Sequence, residues 1–188
     1  MSNRIEWRMI QLSNMLWLCA LVGAVLGFQR GWNREVISMS GIVLGWFALF
    51  QFDGLLRGTL LATMPFDQVF LVQVLLFLAL TFFSYQTRIF TPEGRPGSET
   101  RRERTQSSLL GALVGFFNGY LIWGTIWYFL DINEYPMSPY IIAPAPGSAS
   151  ANSLSMIPIV FFGGGLDGTG DFLTAVVIIV LFIVLVVM

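Results

Sequence analysis

The chain has 188 residues, 55% of them hydrophobic and only 11% charged, with a net charge of -1 and a mean hydropathy of +0.72. A soluble domain carries about 25% charged residues, so this composition excludes a water-covered globule and makes lipid the solvent for most of the chain. All ten basic residues are arginine and there is no histidine. The chain therefore lacks a histidine general base, histidine ligands for metal or haem, and a Schiff-base lysine, and its charge balance argues against a nucleic-acid partner.

The first apolar run extends from about Met9 to Phe28 and contains Cys19, read as a small buried hydrophobe. Arg4 and Arg8 precede it, but no small-residue cleavage site follows. The run is therefore expected to be a retained membrane helix and not a secretory signal. Next comes Gly27-Phe28-Gln29-Arg30-Gly31-Trp32-Asn33-Arg34-Glu35. Packed between two membrane-length runs, its ionisable residues are expected at a water interface where the chain turns back into lipid. The second run, about Val36 to Leu56, has Asp53 and Arg57 at its far end. The third runs from about Phe66 to Tyr85 behind Pro65, a residue suited to the first turn of a helix. The fourth spans about Leu109 to Leu130, and the fifth, Phe172 to Met188, is almost pure Val, Ile and Leu. A spanning helix needs roughly 20 apolar residues, about 17 at the least. Four runs meet this and the fifth just does.

The expected fold is thus an all-α integral membrane protein: four transmembrane helices in residues 1–131, an extracytoplasmic Pro/Gly/Ser-rich segment over 132–170, and a fifth C-terminal helix in 171–188. The 91–106 connection is polar, with Arg95, Arg101, Arg102 and Arg104 among acidic residues, and is expected to be a cytoplasmic loop broken by Pro92, Gly94, Pro96 and Gly97. Placing it inside puts seven arginines in the cytoplasm and leaves Arg4, Arg8 and Arg57 outside. The N-terminus and the proline-rich 132–170 segment then lie outside. That segment lacks core-forming periodicity and could order against a partner. Trp7, Trp32, Tyr85, Trp127 and Tyr128 fall near span ends, as interfacial anchors should.

Glycines recur at four-residue spacing in three places: Gly23, Gly27 and Gly31; Gly41 and Gly45; Gly111, Gly115 and Gly119. This spacing puts them on one helix face, where they let two backbones approach closely. The first, second and fourth runs are therefore expected to form a tight cluster, with the phenylalanine-rich third run facing lipid. Polar residues inside the runs are few. Gln73 and Asn118 read as structural glue at roughly 0.6 kcal/mol each. With no ionisable group inside a run, a self-contained transport pathway is disfavoured. Arg30 and Arg34 are expected to hold the topology, through lipid phosphates or Glu35.

The Gly27–Glu35 stretch resembles the first-hairpin signature G-x-x-R-G-x-x-R-E of the colicin V production protein family, a group of bacterial inner-membrane proteins. Leu110 to Gly119 is similar to that family's second signature, L-G-x-x-x-G-x-x-R-G, with Asn118 in place of the arginine. Asn14 stands where the family carries an acidic residue, and Asp131 follows at the end of the fourth run. The resemblance covers roughly residues 10 to 131 and implies four helices with a basic loop between the third and fourth, and a role in colicin export, envelope homeostasis or biofilm formation. Nothing from Ile132 onward resembles the family.

Two functions are in contention. One is a non-catalytic accessory subunit of a larger membrane complex, for example in respiratory or photosynthetic electron transfer, with the bilayer and other membrane subunits as its partners. The other is a stand-alone envelope or export factor of the colicin V production type. No enzyme activity, cofactor or metal is expected. The interaction and packing candidates are Gly23, Gly27, Arg30, Gly31, Arg34, Glu35, Gly41, Gly45, Gly111, Gly115, Asn118 and Gly119.

Overall fold

Apolar runs interrupted by single glycines and prolines fold as helices joined by tight turns, and helices account for the ordered elements throughout. The computed structural model describes residues 11–86, 101–163 and 171–187, and no strand occurs among them. The elements are α1 (Leu12–Arg30), α2 (Trp32–Gln51), a short α3 (Asp53–Leu55) running into a π-helical turn at Leu56–Leu60, α4 (Phe66–Gln86), α5 (Arg101–Ile132), the short α6 (Ala149–Ser153) and α7 (Pro158–Gly163), and α8 (Asp171–Val187).

Among the described residues three helices are long and apolar enough to cross a membrane: α1 with 19 residues, α4 with 21 and α5 with 32. The α2 helix and the Asp53–Leu60 segment pass the same test together, bent by 48°. The apolar stretch in α8 is shorter. Along α1, Trp17, Leu18, Leu21, Val22, Val25 and Leu26 are each 48–59% exposed. A contiguous apolar face of this size marks a surface for membrane or partner contact.

The α1–α2 connection is a single residue. Gly31 has φ +81°, a left-handed conformation that favours glycine, and its N–H donates to the Gly27 carbonyl to close α1. The whole Gly27–Glu35 stretch was expected at a water interface. Instead α2 begins at Trp32, and Glu35 lies inside its first turn with 1% exposure. The polar run at Arg101–Gln106, expected in a loop, forms the first turns of α5. Arginine and glutamate are good helix formers and extend the apolar helix outward. Residues 87–100, with Arg88 and Arg95, lie outside the described residues, as do Arg4, Arg8 and Trp7.

The core relation is α1 against α5, antiparallel. A Cβ on Gly23 would run into the Gly115 carbonyl, and one on Gly27 into that of Gly111. In return, Gly111, Gly115 and Gly119 meet the backbones of Gly27, Gly23 and Cys19. Rail therefore meets rail, and the two helices touch backbone to backbone. The middle rail goes elsewhere. Gly41 abuts the Ser84 side chain of α4, and Gly45 faces Leu80 and Phe77 with ordinary space. The α2 rail thus docks the third run, which was expected to face lipid and is exposed on only one side. Phe66, Phe82 and Phe83 are exposed, whereas Phe77 is fully buried edge-to-face on Phe129 and Phe70 is buried as well.

The segment after α5 also departs from expectation. Ile157, Ile159 and Val160 are buried, Pro158 packs on Gly124, and Phe162 lies beside Trp46. A run this short and flanked by proline shows no periodicity in sequence, yet it wedges α7 into the chain's own core. Ser150 tethers α6 to the start of α1 through Ser13, and the Tyr120 hydroxyl donates to the Met156 carbonyl at 2.6 Å. The α8 helix packs on α2 and α7, burying Leu173 and Val177.

Candidate functional site

A polar cluster sits where the turn end of α1, the start of α2, the end of α4 and the middle of α5 converge. It grows from one buried carboxylate. Glu35 accepts from Arg30 Nη1 on Oε1 at 2.7 Å and from Asn118 Nδ2 on Oε2 at 2.8 Å. Asn118 Nδ2 also donates to the Glu35 carbonyl at 3.0 Å, so one side chain of α5 grips both parts of one residue of α2. Arg30 donates further to Ser38 Oγ at 3.3 Å and to the Tyr85 carbonyl at 3.2 Å, with its guanidinium 4.4 Å from the Tyr85 ring centroid. Ser38 in turn donates to the Arg34 carbonyl.

The burial is uneven. Glu35, Ser38 and Asn118 are essentially enclosed, while the Arg30 side chain is 25% exposed. The cluster therefore combines a carboxylate that water cannot reach with a cation at its rim. An enclosed carboxylate is tolerated only when paired and hydrogen-bonded, and here both oxygens are engaged. The Asn118 Oδ1 atom is buried and has no hydrogen-bond partner.

Of the residues singled out from sequence, Arg30, Glu35 and Asn118 come together here. Gly27, Gly31, Gly111 and Gly115 form the close contact that brings α1 and α5 together beside them, with Gly23 and Gly119 one turn deeper. Arg34 does not join: its side chain is exposed. Gly41 and Gly45 set the α2–α4 distance and lie outside the cluster.

A second network lies at the opposite end; of its members only Gln73 was expected from sequence to hydrogen-bond across helices. Asn133 accepts from Arg57 Nη2 at 2.7 Å and donates to Gln73 Oε1 at 2.8 Å and to the Phe129 carbonyl at 2.7 Å. Gln73 donates to Asp53 Oδ1 at 3.1 Å, and Arg57 Nη2 also reaches the Ile132 carbonyl at 3.1 Å. Arg57 Nε lies 3.4 Å from Asp53 Oδ1 as an ion pair without hydrogen-bond alignment. Next to it, Trp127 donates to the Tyr135 hydroxyl, which donates to Asp131. Burial, with the Asp131 carboxylate adding to it, pushes the Tyr135 phenol above its ordinary value. Trp127 and Tyr85, expected as interfacial anchors, instead serve these two networks. Partners 60 to 76 positions apart leave no local signal; Asp53 and Arg57 read only as a span end.

The chain matches no protein-family model, no curated protein and no solved structure. Its chemistry must therefore be read from the clusters themselves. In the first, the donors of Arg30 and Asn118 are turned onto Glu35, the Ser38 hydroxyl and backbone carbonyls. In the second, Asn133 links α5 to the bent α2–α3 segment and to α4. Both act as clamps between helices. Trp46 adds a third polar tie, donating to Thr125, which donates to the Leu121 carbonyl at 2.7 Å.

Proposed function

We propose that the chain is a multi-pass protein of the bacterial inner membrane that works without catalysis, as a helix-packing accessory subunit of a larger membrane assembly, for example one that transfers electrons. The carrying observation is that the donors of Arg30 and Asn118 are turned onto the buried Glu35 carboxylate within the helical body, set against broad exposed apolar faces on α1, α4 and α8. Charge arrangement supports the orientation. Arg30, Arg34, Arg101, Arg102 and Arg104 share the end where Gly31 meets Ser107, and Arg57 occupies the other. The arginine rule supports a cytoplasmic position for the Gly31–Ser107 end, with the start of α1 and Tyr140 on the outer side.

A second reading is a stand-alone factor of the colicin V production type. It is favoured by the convergence of residues from both resembling signatures, Arg30 and Glu35 of the first with Gly111, Gly115 and Asn118 of the second. Purification in mild detergent followed by native mass measurement separates the two. Co-purification with a defined set of other membrane subunits supports the accessory role. Migration alone, or as a small homo-oligomer, overturns it and favours the stand-alone factor.

A further inference from the structure

The first turns of α5 project past the α1–α2 turn, and Arg101 and Arg102 there form no ion pair with another described residue. Ser107 is level with Gly31, within 3.1 Å of where its Cβ would be. At about 1.5 Å per residue, Arg101 and Arg102 stand roughly 8–9 Å further out. Two rows at i, i+4, i+8 spacing descend from them: Arg101, Thr105, Leu109 and Arg102, Gln106, Leu110. The six side chains line one open groove, and all are exposed. Each row passes from cation to hydrogen-bonding group to hydrocarbon over about 12 Å. Among the described residues neither guanidinium has an ion-pair partner, whereas Arg30 at the turn is held by Glu35.

This polarity gradient, on two parallel rows and at this height, is complementary to one kind of molecule. We propose that the groove binds an anionic phospholipid of the cytoplasmic leaflet, its phosphate between Arg101 and Arg102 and its acyl chains along Leu109 and Leu110. The inference rests on the membrane reading above. Arginine gives planar, paired donors to phosphate oxygens, and the Gln106 amide can donate to the ester oxygens below, while the Thr105 hydroxyl already donates to the Arg101 carbonyl at 2.9 Å. It moves the lipid contact from Arg30 and Arg34, where the sequence suggested it, to α5.

The test uses the full chain in nanodiscs of phosphatidylcholine mixed with phosphatidylglycerol, with bound lipid counted by native mass spectrometry after release. Phosphatidylglycerol should be retained over phosphatidylcholine. Arg101→Gln with Arg102→Gln should weaken retention by about fivefold for each arginine, with helical content unchanged, while Arg34→Gln leaves it as it was. Millimolar inorganic phosphate should not displace the lipid. Equal retention of the two lipids, an unaffected double variant, or displacement by free phosphate overturns the proposal. Failure of the unmodified chain to enter nanodiscs overturns the membrane reading beneath it instead.

Discussion

Removing the Glu35 carboxylate probes how much of the fold depends on the buried cluster. In Glu35→Ala, Arg30 Nη1 loses its 2.7 Å partner and Asn118 Nδ2 loses the one at 2.8 Å. Breaking a fully buried pair costs about 3–5 kcal/mol, whereas an exposed pair contributes about 0–1 kcal/mol. Arg30 lies between these limits, a quarter exposed and still held by Ser38 and the Tyr85 carbonyl. Asn118 also keeps the Glu35 carbonyl. The expected loss is therefore about 2–3 kcal/mol. Glu35→Gln should lose about 1–2 kcal/mol, because its amide can face only one of the two donors as an acceptor. A double-mutant cycle of Glu35→Ala with Arg30→Ala should return a coupling of about 1–2 kcal/mol. Exposed Arg34→Gln should stay within about 0.5 kcal/mol. The assay is reversible unfolding in bicelles, followed by tryptophan fluorescence. A Glu35→Ala protein as stable as the parent, or a coupling near zero, would refute the reasoning.

Packing and polar satisfaction set the outcomes of four further substitutions. Gly115→Leu puts a side chain where the Gly23 carbonyl and Gly27 already lie, so unfolding measurements should show a loss above about 3 kcal/mol. Gly45→Ala, whose added methyl meets Leu80 and Phe77 at 3.6–3.8 Å, should fall within about 1 kcal/mol of the parent in the same assay. In Asn133→Ala, Arg57 keeps the Ile132 carbonyl and Gln73 keeps Asp53, but Arg57 loses one acceptor and Gln73 Oε1 its donor, so the loss should be about 1–3 kcal/mol. Gln73→Ala, which leaves Arg57 both its Asn133 and its Ile132 contacts, should cost less when the two are unfolded side by side.

Much of this architecture was legible because its causes are local. The four-residue spacing of Gly23, Gly27 and Gly31 and of Gly111, Gly115 and Gly119 can be read by eye, and those rails do meet. Arg30 and Glu35 are five residues apart across a glycine turn, so their pairing needed no long-range knowledge. The partner of Gly41 was not legible, since spacing states that a helix approaches and not which one. The Ile157–Gly163 wedge was missed because four buried residues next to Pro158 are too few to show a period. Asn133, Gln73 and Arg57 meet only through the bend after α2, which no sequence pattern announces. Treating every charge near a turn as water-exposed also misplaced Glu35, because a neighbouring arginine and asparagine replace water as its solvent.

Side-specific labelling tests the threading most directly. With Cys19→Ser as background, single cysteines are placed at Asn33→Cys, beside the α1–α2 turn, and at Tyr140→Cys, which is 91% exposed in the segment after α5. Intact cells are then treated with a membrane-impermeant maleimide. The expected result is labelling at position 140 and protection at position 33 until the membrane is permeabilised. Labelling at 33 with protection at 140 would invert the orientation, and labelling of both in intact cells would contradict a membrane-threaded bundle.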